Sequence, residues 1–153
     1  MLNGIFAMSE LAIVSAKTAK LRAKREAGSA AAETALSLAA DPGKFLSTVQ
    51  IGITLVGIIA GAYSGSSLGG PVGERLAALG VSPEWSGDLG FVVVIALTTY
   101  CSLVVGELVP KQLALRHAVP IALVMARPMA FIARIAAPLV WVLDTSSGLL
   151  IRA

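Results

Sequence analysis

Two carboxylates stand inside apolar stretches of this sequence: Glu107, near the end of Ser102-Leu-Val-Val-Gly-Glu-Leu-Val-Pro-Lys111, and Glu10, within Ala7-Met-Ser-Glu-Leu-Ala-Ile-Val-Ser15. An ionised carboxylate in hydrocarbon, or at its mouth, is costly, so such residues face polar cavities and handle an ion, a proton or a fixed partner charge. Oxygen donors accompany both. Ser9 precedes Glu10, and Ser15, Thr54 and Ser102 lie in apolar segments of the same kind. Pro110 has no amide hydrogen to offer the carbonyl of Gly106, four residues earlier, which leaves that oxygen free to bond or coordinate. One or two carboxylates supplemented by neutral oxygens suit a hard cation such as Mg²⁺, and broken helices line ion sites in transporters.

Plainer roles are open to the same residues. Glu107 and Lys111 stand four apart, the spacing of a helical ion pair. Glu10 has Lys17 or Lys111 as a candidate partner, and Lys111 has a stem long enough to reach the headgroups. Other chemistries find less support. Cys101 is the one cysteine, which excludes an intrachain disulfide and a cysteine-based zinc site, and it reads as a small buried hydrophobe. His117 is equally alone. No nucleophile stands with a base in the apolar segments, so an enzyme is not expected. The net charge of +3 is small and scattered, unlike a nucleic-acid surface.

The elements that hold these residues belong in a bilayer. The chain is 56% hydrophobic and 14% charged, with a mean hydropathy of +0.83, whereas soluble domains are roughly 25% charged. Its 153 residues suffice for one domain with three or four hydrophobic elements. The expected fold is an all-α membrane protein with three transmembrane helices, a cytoplasmic helical hairpin and a juxtamembrane helical belt. The spans are expected at about 1–16, 45–63 and 89–107. The first is short, about 24 Å at helical rise. In the second, Gly57 and Gly61 share a helical side that should pack on another helix. In the third, Thr98 and Ser102 share a face suited to bonding across helices or to backbone carbonyls.

Residues 16–40 are rich in Ala, Lys, Arg, Glu and Leu and read as two helices broken near Gly28-Ser29. An Asp41-Pro42-Gly43 turn then precedes the second span. Pro120, Arg127, Pro128, Arg134 and Pro138 punctuate the last apolar stretch, so short juxtamembrane helices are expected over 119–143. Asp144 reads as the cap of one more helix. Basic residues crowd the first connector and the region after the third span, while the connector 64–88 holds only Arg75. The positive-inside bias therefore puts those two regions in the cytoplasm and the N-terminus outside.

Three segments, Phe6–Leu21 (FAMSELAIVSAKTAKL), Lys44–Gly65 (KFLSTVQIGITLVGIIAGAYSG) and Ser102–Leu115 (SLVVGELVPKQLAL), together resemble the transmembrane domain of the CorC/CNNM family of magnesium transporters, whose bacterial members are also labelled haemolysin-like. The resemblance covers essentially the whole chain, and Gly-Glu-Leu-Val-Pro-Lys is its most specific motif. It implies a homodimer in the bacterial plasma (inner) membrane that exports Mg²⁺, coupled to Na⁺. It further implies cytoplasmic CBS modules in the same polypeptide, which this chain does not encode. Carried over residue by residue, it implies an ion site at Ser9 and Glu10, at Gly52 to Thr54, and at Gly106, Glu107 and Pro110. Thr54 would be the ligand from the second span, with Gly52, Pro110 and Lys111 at the gate or helix break. The pattern departs at Gly52-Ile53-Thr54, where family members carry an amide-bearing sequence. That departure motivates a second reading, a non-transporting membrane anchor or ion-sensing module.

Overall fold

The computed structural model describes the backbone of residues 1–152 and the side chains of residues 1–148, and it is built from helices alone among those residues. Short helices α1 (Leu2–Ser15), α2 (Thr18–Glu26) and α3 (Ala30–Ala40) precede a long α4 (Pro42–Ala78). Then come α5 (Pro83–Leu103), a π-helical turn (Val104–Leu108), α6 (Val109–Arg116) and α7 (Ala118–Arg152). Local chemistry sets these boundaries. Gly28, at φ +88°, separates α2 from α3, and the Ser29 hydroxyl oxygen caps α3 by accepting the Ala32 amide at 3.3 Å. Asp41 caps α4 by accepting the Lys44 amide, with Pro42 in the first turn where its missing N–H costs nothing. Gly80, at φ +99°, ends α4.

Three stretches are long and apolar enough to cross a bilayer: Pro42–Ala78, Pro83–Arg116 and Ala118–Gly148. Only 17% of the most apolar window of each is buried within the molecule. Ile59, Tyr63, Leu97, Tyr100, Phe131 and Ile135 all point outward. Apolar surface on that scale belongs against lipid, where helices satisfy their own backbone polar groups. The chain is an all-helical membrane protein.

Several elements differ from the sequence expectation. The segment expected as the first span is a 14-residue helix, roughly 21 Å long, and it sits at the centre of the fold. Ala7, Ser9, Ala12 and Ile13 of α1 are wholly buried, within a core shared with Leu21, Phe45, Val49, Ala122 and Met129. The second helix does not stop at 63. It runs on to Ala78 through the glycine-rich connector and makes a long hairpin with α5, closed by residues 79–82. Asp41-Pro42-Gly43 is thus the start of a helix.

Gly57 and Gly61 do not make the helix contact expected of them, since a Cβ on either would meet no atom within 4 Å. The close approach lies further along. A Cβ on Gly65 would lie 2.7 Å from the Phe91 ring, and one on Gly73 would lie 2.8 Å from the Ser86 carbonyl. At Gly90 it would lie 2.5 Å from both the Gly69 carbonyl oxygen and the Gly73 nitrogen.

The segment 119–143 is part of one helix, although Pro128 and Pro138 lie inside it and deprive the Val124 and Arg134 carbonyls of their amide partners. Packing outweighs that cost. Ala122, Ala126 and Met129 repeat at helical spacing and are buried, and α7 packs against α1, α3 and the start of α4. Asp144 lies within this helix and caps nothing. The third helix is likewise not broken at Gly106 and Pro110, because the chain stays helical to Arg116 through the π-turn.

Candidate functional site

That π-turn decides where Glu107 points. In a regular helix Thr98, Ser102 and Gly106 would share one face, each four residues after the last. Here the Val109 amide bonds to the Val104 carbonyl, five residues back. The wider turn carries Glu107, five after Ser102, onto the face of Thr98 and Ser102, and turns of this kind are frequent at functional sites. Pro110, with no N–H to close an α-helical bond to Gly106, is compatible with the wider turn. Its ring packs beside α1, 3.0 Å from where a Cβ on Gly4 would lie.

The result is a cavity of about 350 Å³ between α1, α4, α5 and the π-turn. Glu107 enters it from the π-turn, Thr98, Thr99 and Ser102 from α5, Thr54 from α4 and Asn3 from α1. Ile53, Gly57, Ile58, Ala60 and Gly61 make the apolar wall. None of the side-chain hydrogen bonds found among the described residues engages Thr54, Thr98, Thr99 or Ser102. Elsewhere, Ser9 and Thr48 donate to carbonyls one turn back at 2.6 and 2.8 Å. The cavity hydroxyls are uncommitted.

Glu107 is not alone in this cavity. The Lys111 ammonium donates to its Oε1 at 2.7 Å, with the two side chains 33% and 36% exposed, so the helical ion pair and the cavity-lining role coexist. A cation entering the cavity would compete with Lys111 for the carboxylate.

The other sequence-derived site residues are dispersed. Ser9 is wholly buried, its hydroxyl donates to the Ile5 carbonyl, and it is absent from the cavity wall. Glu10 is half-buried, outside that wall, and forms no ion pair with Lys17 or Lys111 among the described residues. Gly52 is where α4 meets α1, since a Cβ there would lie 3.0 Å from the Phe6 ring. Gly106 is buried next to Asn3 and Ser102. The structure thus brings Thr54 and Glu107 to one cavity and leaves Ser9 and Glu10 out of it. No group of three or more His, Cys, Asp or Glu side chains able to hold a metal occurs among the described residues. Any cation here must be held by one carboxylate, neutral oxygens and water.

Sequence reasoning passed over Asn3 and gave Thr98 and Thr99 only packing or bonding roles. The signal for Asn3 was available, an amide in an apolar segment that elsewhere carries only Ser9 and Glu10 as polar residues before Ser15. A second, larger groove of about 880 Å³ runs between α3, the start of α4 and α7, and Arg127, Arg134, Glu33 and Asp144 lie along it.

The whole chain, residues 1–153, matches the model of a known family, the cyclin M transmembrane N-terminal domain. It is 44% identical over 151 residues to the UPF0053 protein sll0260 of Synechocystis, covering 99% of this chain and 34% of that protein. It is 30% identical over 152 residues to the UPF0053 protein YhdP of Bacillus subtilis, covering 99% of this chain and 34% of that one. A polyamine export protein of Escherichia coli is 28% identical over 150 residues, covering 98% of this chain and 33% of that protein. The chain therefore spans about a third of the length of these curated relatives. With the full-length family match and the helical membrane fold, the chain belongs to the cyclin M transmembrane domain family.

Proposed function

We propose that this domain exports a cation through the cavity between α1, α4, α5 and the π-turn, with Mg²⁺ as the cargo and Na⁺ as the coupling ion. The observation that carries the reading is a carboxylate and uncommitted hydroxyls facing one half-open cavity between otherwise apolar helices. Glu107 supplies the charge, Thr54 and Ser102 supply neutral oxygens, and the remaining positions of a hard cation stay with water, as Mg²⁺ prefers. Lys111 balances Glu107 while the cavity is empty and yields it when a cation enters. In this reading the basic α2–α3 region faces the cytoplasm, the N-terminus lies outside, and the domain works as a homodimer in the bacterial plasma membrane, joined to cytoplasmic CBS modules of the longer protein.

A second cargo is favoured by the cavity's apolar wall and by the name of the E. coli relative. A polyamine would lay its methylene stems on Ile53 and Ile58 and its ammonium groups on Glu107 and the hydroxyls. The departure at Gly52-Ile53-Thr54 also motivates a module that binds ions or anchors regulatory domains without moving anything.

One experiment separates the three. The protein is reconstituted into liposomes loaded with Mg²⁺ or spermidine, with and without a Na⁺ gradient, and efflux is followed. Mg²⁺ efflux that falls at least about tenfold in Glu107→Gln supports the first reading; such a loss corresponds to about 1.4 kcal/mol. Efflux of spermidine alone favours the second, and ion-dependent stabilisation without any flux favours the anchor. Wild-type flux in Glu107→Gln removes Glu107 from the pathway.

A further inference from the structure

We infer that Asn3 is a ligand of the cation held in this cavity and that the bound ion clamps α1 to the π-turn; the inference rests on the cation-site reading above. Asn3 Oδ1 is the one side-chain nitrogen or oxygen among the described residues that is buried without a hydrogen-bond partner. Such atoms are rare in folded proteins, and a bound ion or water is one of the reasons for them. Its location supplies the reason here. Asn3 lines the same cavity as Glu107, and its Cβ lies 3.3 Å from where a Cβ on Gly106 would stand, so its side chain enters across the π-turn.

An amide oxygen is a neutral acceptor, the kind of ligand that completes the shell of a hard cation already held by one carboxylate. It serves an ammonium group equally, as a hydrogen-bond acceptor. Ser9, the other candidate on α1, is absent from the wall of this cavity, its hydroxyl donating to the Ile5 carbonyl within its own helix. Asn3 is therefore the polar side chain that α1 brings to the site. A cation bound by Asn3 and Glu107 together ties the central helix to the segment that the π-turn has reoriented, so occupancy should be felt as stability.

The test uses the purified protein in detergent micelles, titrated separately with MgCl₂ and with spermidine while thermal unfolding is recorded. For whichever probe stabilises the wild type, Asn3→Ala should raise the half-saturating concentration at least tenfold. Asn3→Asp, which presents only acceptors when ionised, should keep it within about threefold of wild type or lower it. Glu107→Gln, measured in parallel, separates the two levels of the reading. Loss of the effect in Glu107→Gln with wild-type response in Asn3→Ala overturns the role of Asn3 and leaves the cation site standing. Wild-type response in Glu107→Gln, or no response of the wild type to either probe, overturns both. An Asn3→Ala protein that melts lower without cation but keeps its half-saturating concentration marks Asn3 as structural and overturns the proposal. If Asn3→Ala does not fold, the Asp variant decides, since a tenfold weaker response there is incompatible with a ligand oxygen.

Discussion

The two halves of the α4–α5 hairpin carry the same glycine rhythm and do opposite things with it. Gly57, Gly61, Gly65, Gly69 and Gly73 recur every four residues along a stripe that winds slowly around α4. From Gly65 onward they meet α5 closely, a Cβ on Gly65 or Gly73 lying under 3.0 Å from the Phe91 ring or the Ser86 carbonyl and one on Gly69 3.3 Å from the Phe91 backbone. At Gly57 and Gly61 the stripe faces open space lined by Thr98, Thr99 and Ser102. What differs is the facing helix. A small residue or a flat ring on α5 lets the helices close, whereas a run of hydroxyls held apart by α1 and the π-turn leaves a cavity. Glycine spacing therefore marks a surface free of side chains, and the partner decides whether that surface becomes a seam or a vestibule.

The largest effect is expected in the closed half. Gly90→Val would drive a side chain into the Gly69 carbonyl and the Gly73 backbone, neither of which has a rotamer to change. Ordinary overpacking costs ~1–3 kcal/mol, and backbone collision in a helix hairpin should exceed that. The expected result is loss of a cooperative thermal transition or of a monodisperse peak on gel filtration. A Gly90→Val protein melting within a few degrees of wild type would show that the seam is looser than described and that the two halves do not differ.

Much of this was legible in the sequence, and what was not has physical causes. Glu107, Thr54 and the Gly106–Pro110 irregularity stood out because a carboxylate, a hydroxyl and a missing amide are conspicuous in hydrocarbon, and Glu107 and Thr54 line one cavity. The form of the irregularity was not, because Pro110 forbids one α-helical hydrogen bond but does not say whether the chain breaks, kinks or widens into a π-turn. That Ser9 and Glu10 lie off the cavity wall was not legible, because which face of α1 meets the cavity depends on the packing of Phe6, Ala7 and Ile13 against other helices. The unbroken α7 was missed for the same reason. Its prolines are local, whereas the alanine face that holds it against α1 and α3 acts between distant segments.

Pro110→Ala tests the mechanism that opens the second half, with an effect smaller than that of Gly90→Val. An amide at position 110 offers the Gly106 carbonyl an α-helical partner. Reversion of the π-turn would rotate Glu107 by about 100°, away from the face of Thr98 and Ser102. The expected outcome is a cation response weakened about tenfold without loss of thermal stability, since the lost ring contact with Gly4, ~1–2 kcal/mol, is offset by the helical hydrogen bond and propensity that alanine restores. Unchanged cation response would show that the π-turn persists without proline, or that Glu107 reaches the cavity in either form.

The smallest effect is the most discriminating. Gly57→Ala adds a methyl group where no atom lies within 4 Å. Alanine is the better helix former by ~1 kcal/mol, so the variant should melt at or slightly above wild type. A methyl group occupies little of a cavity of about 350 Å³, so cation response should also stay close to wild type. Gly90→Ala, with the same chemical change, should be clearly destabilised because its methyl group meets backbone. The pair therefore isolates the partner surface from glycine's own helix propensity, which is common to both positions. If Gly57→Ala proved as damaging as Gly90→Ala, the open half would have to be covered in the working protein by something outside this chain, and the vestibule would be an interface.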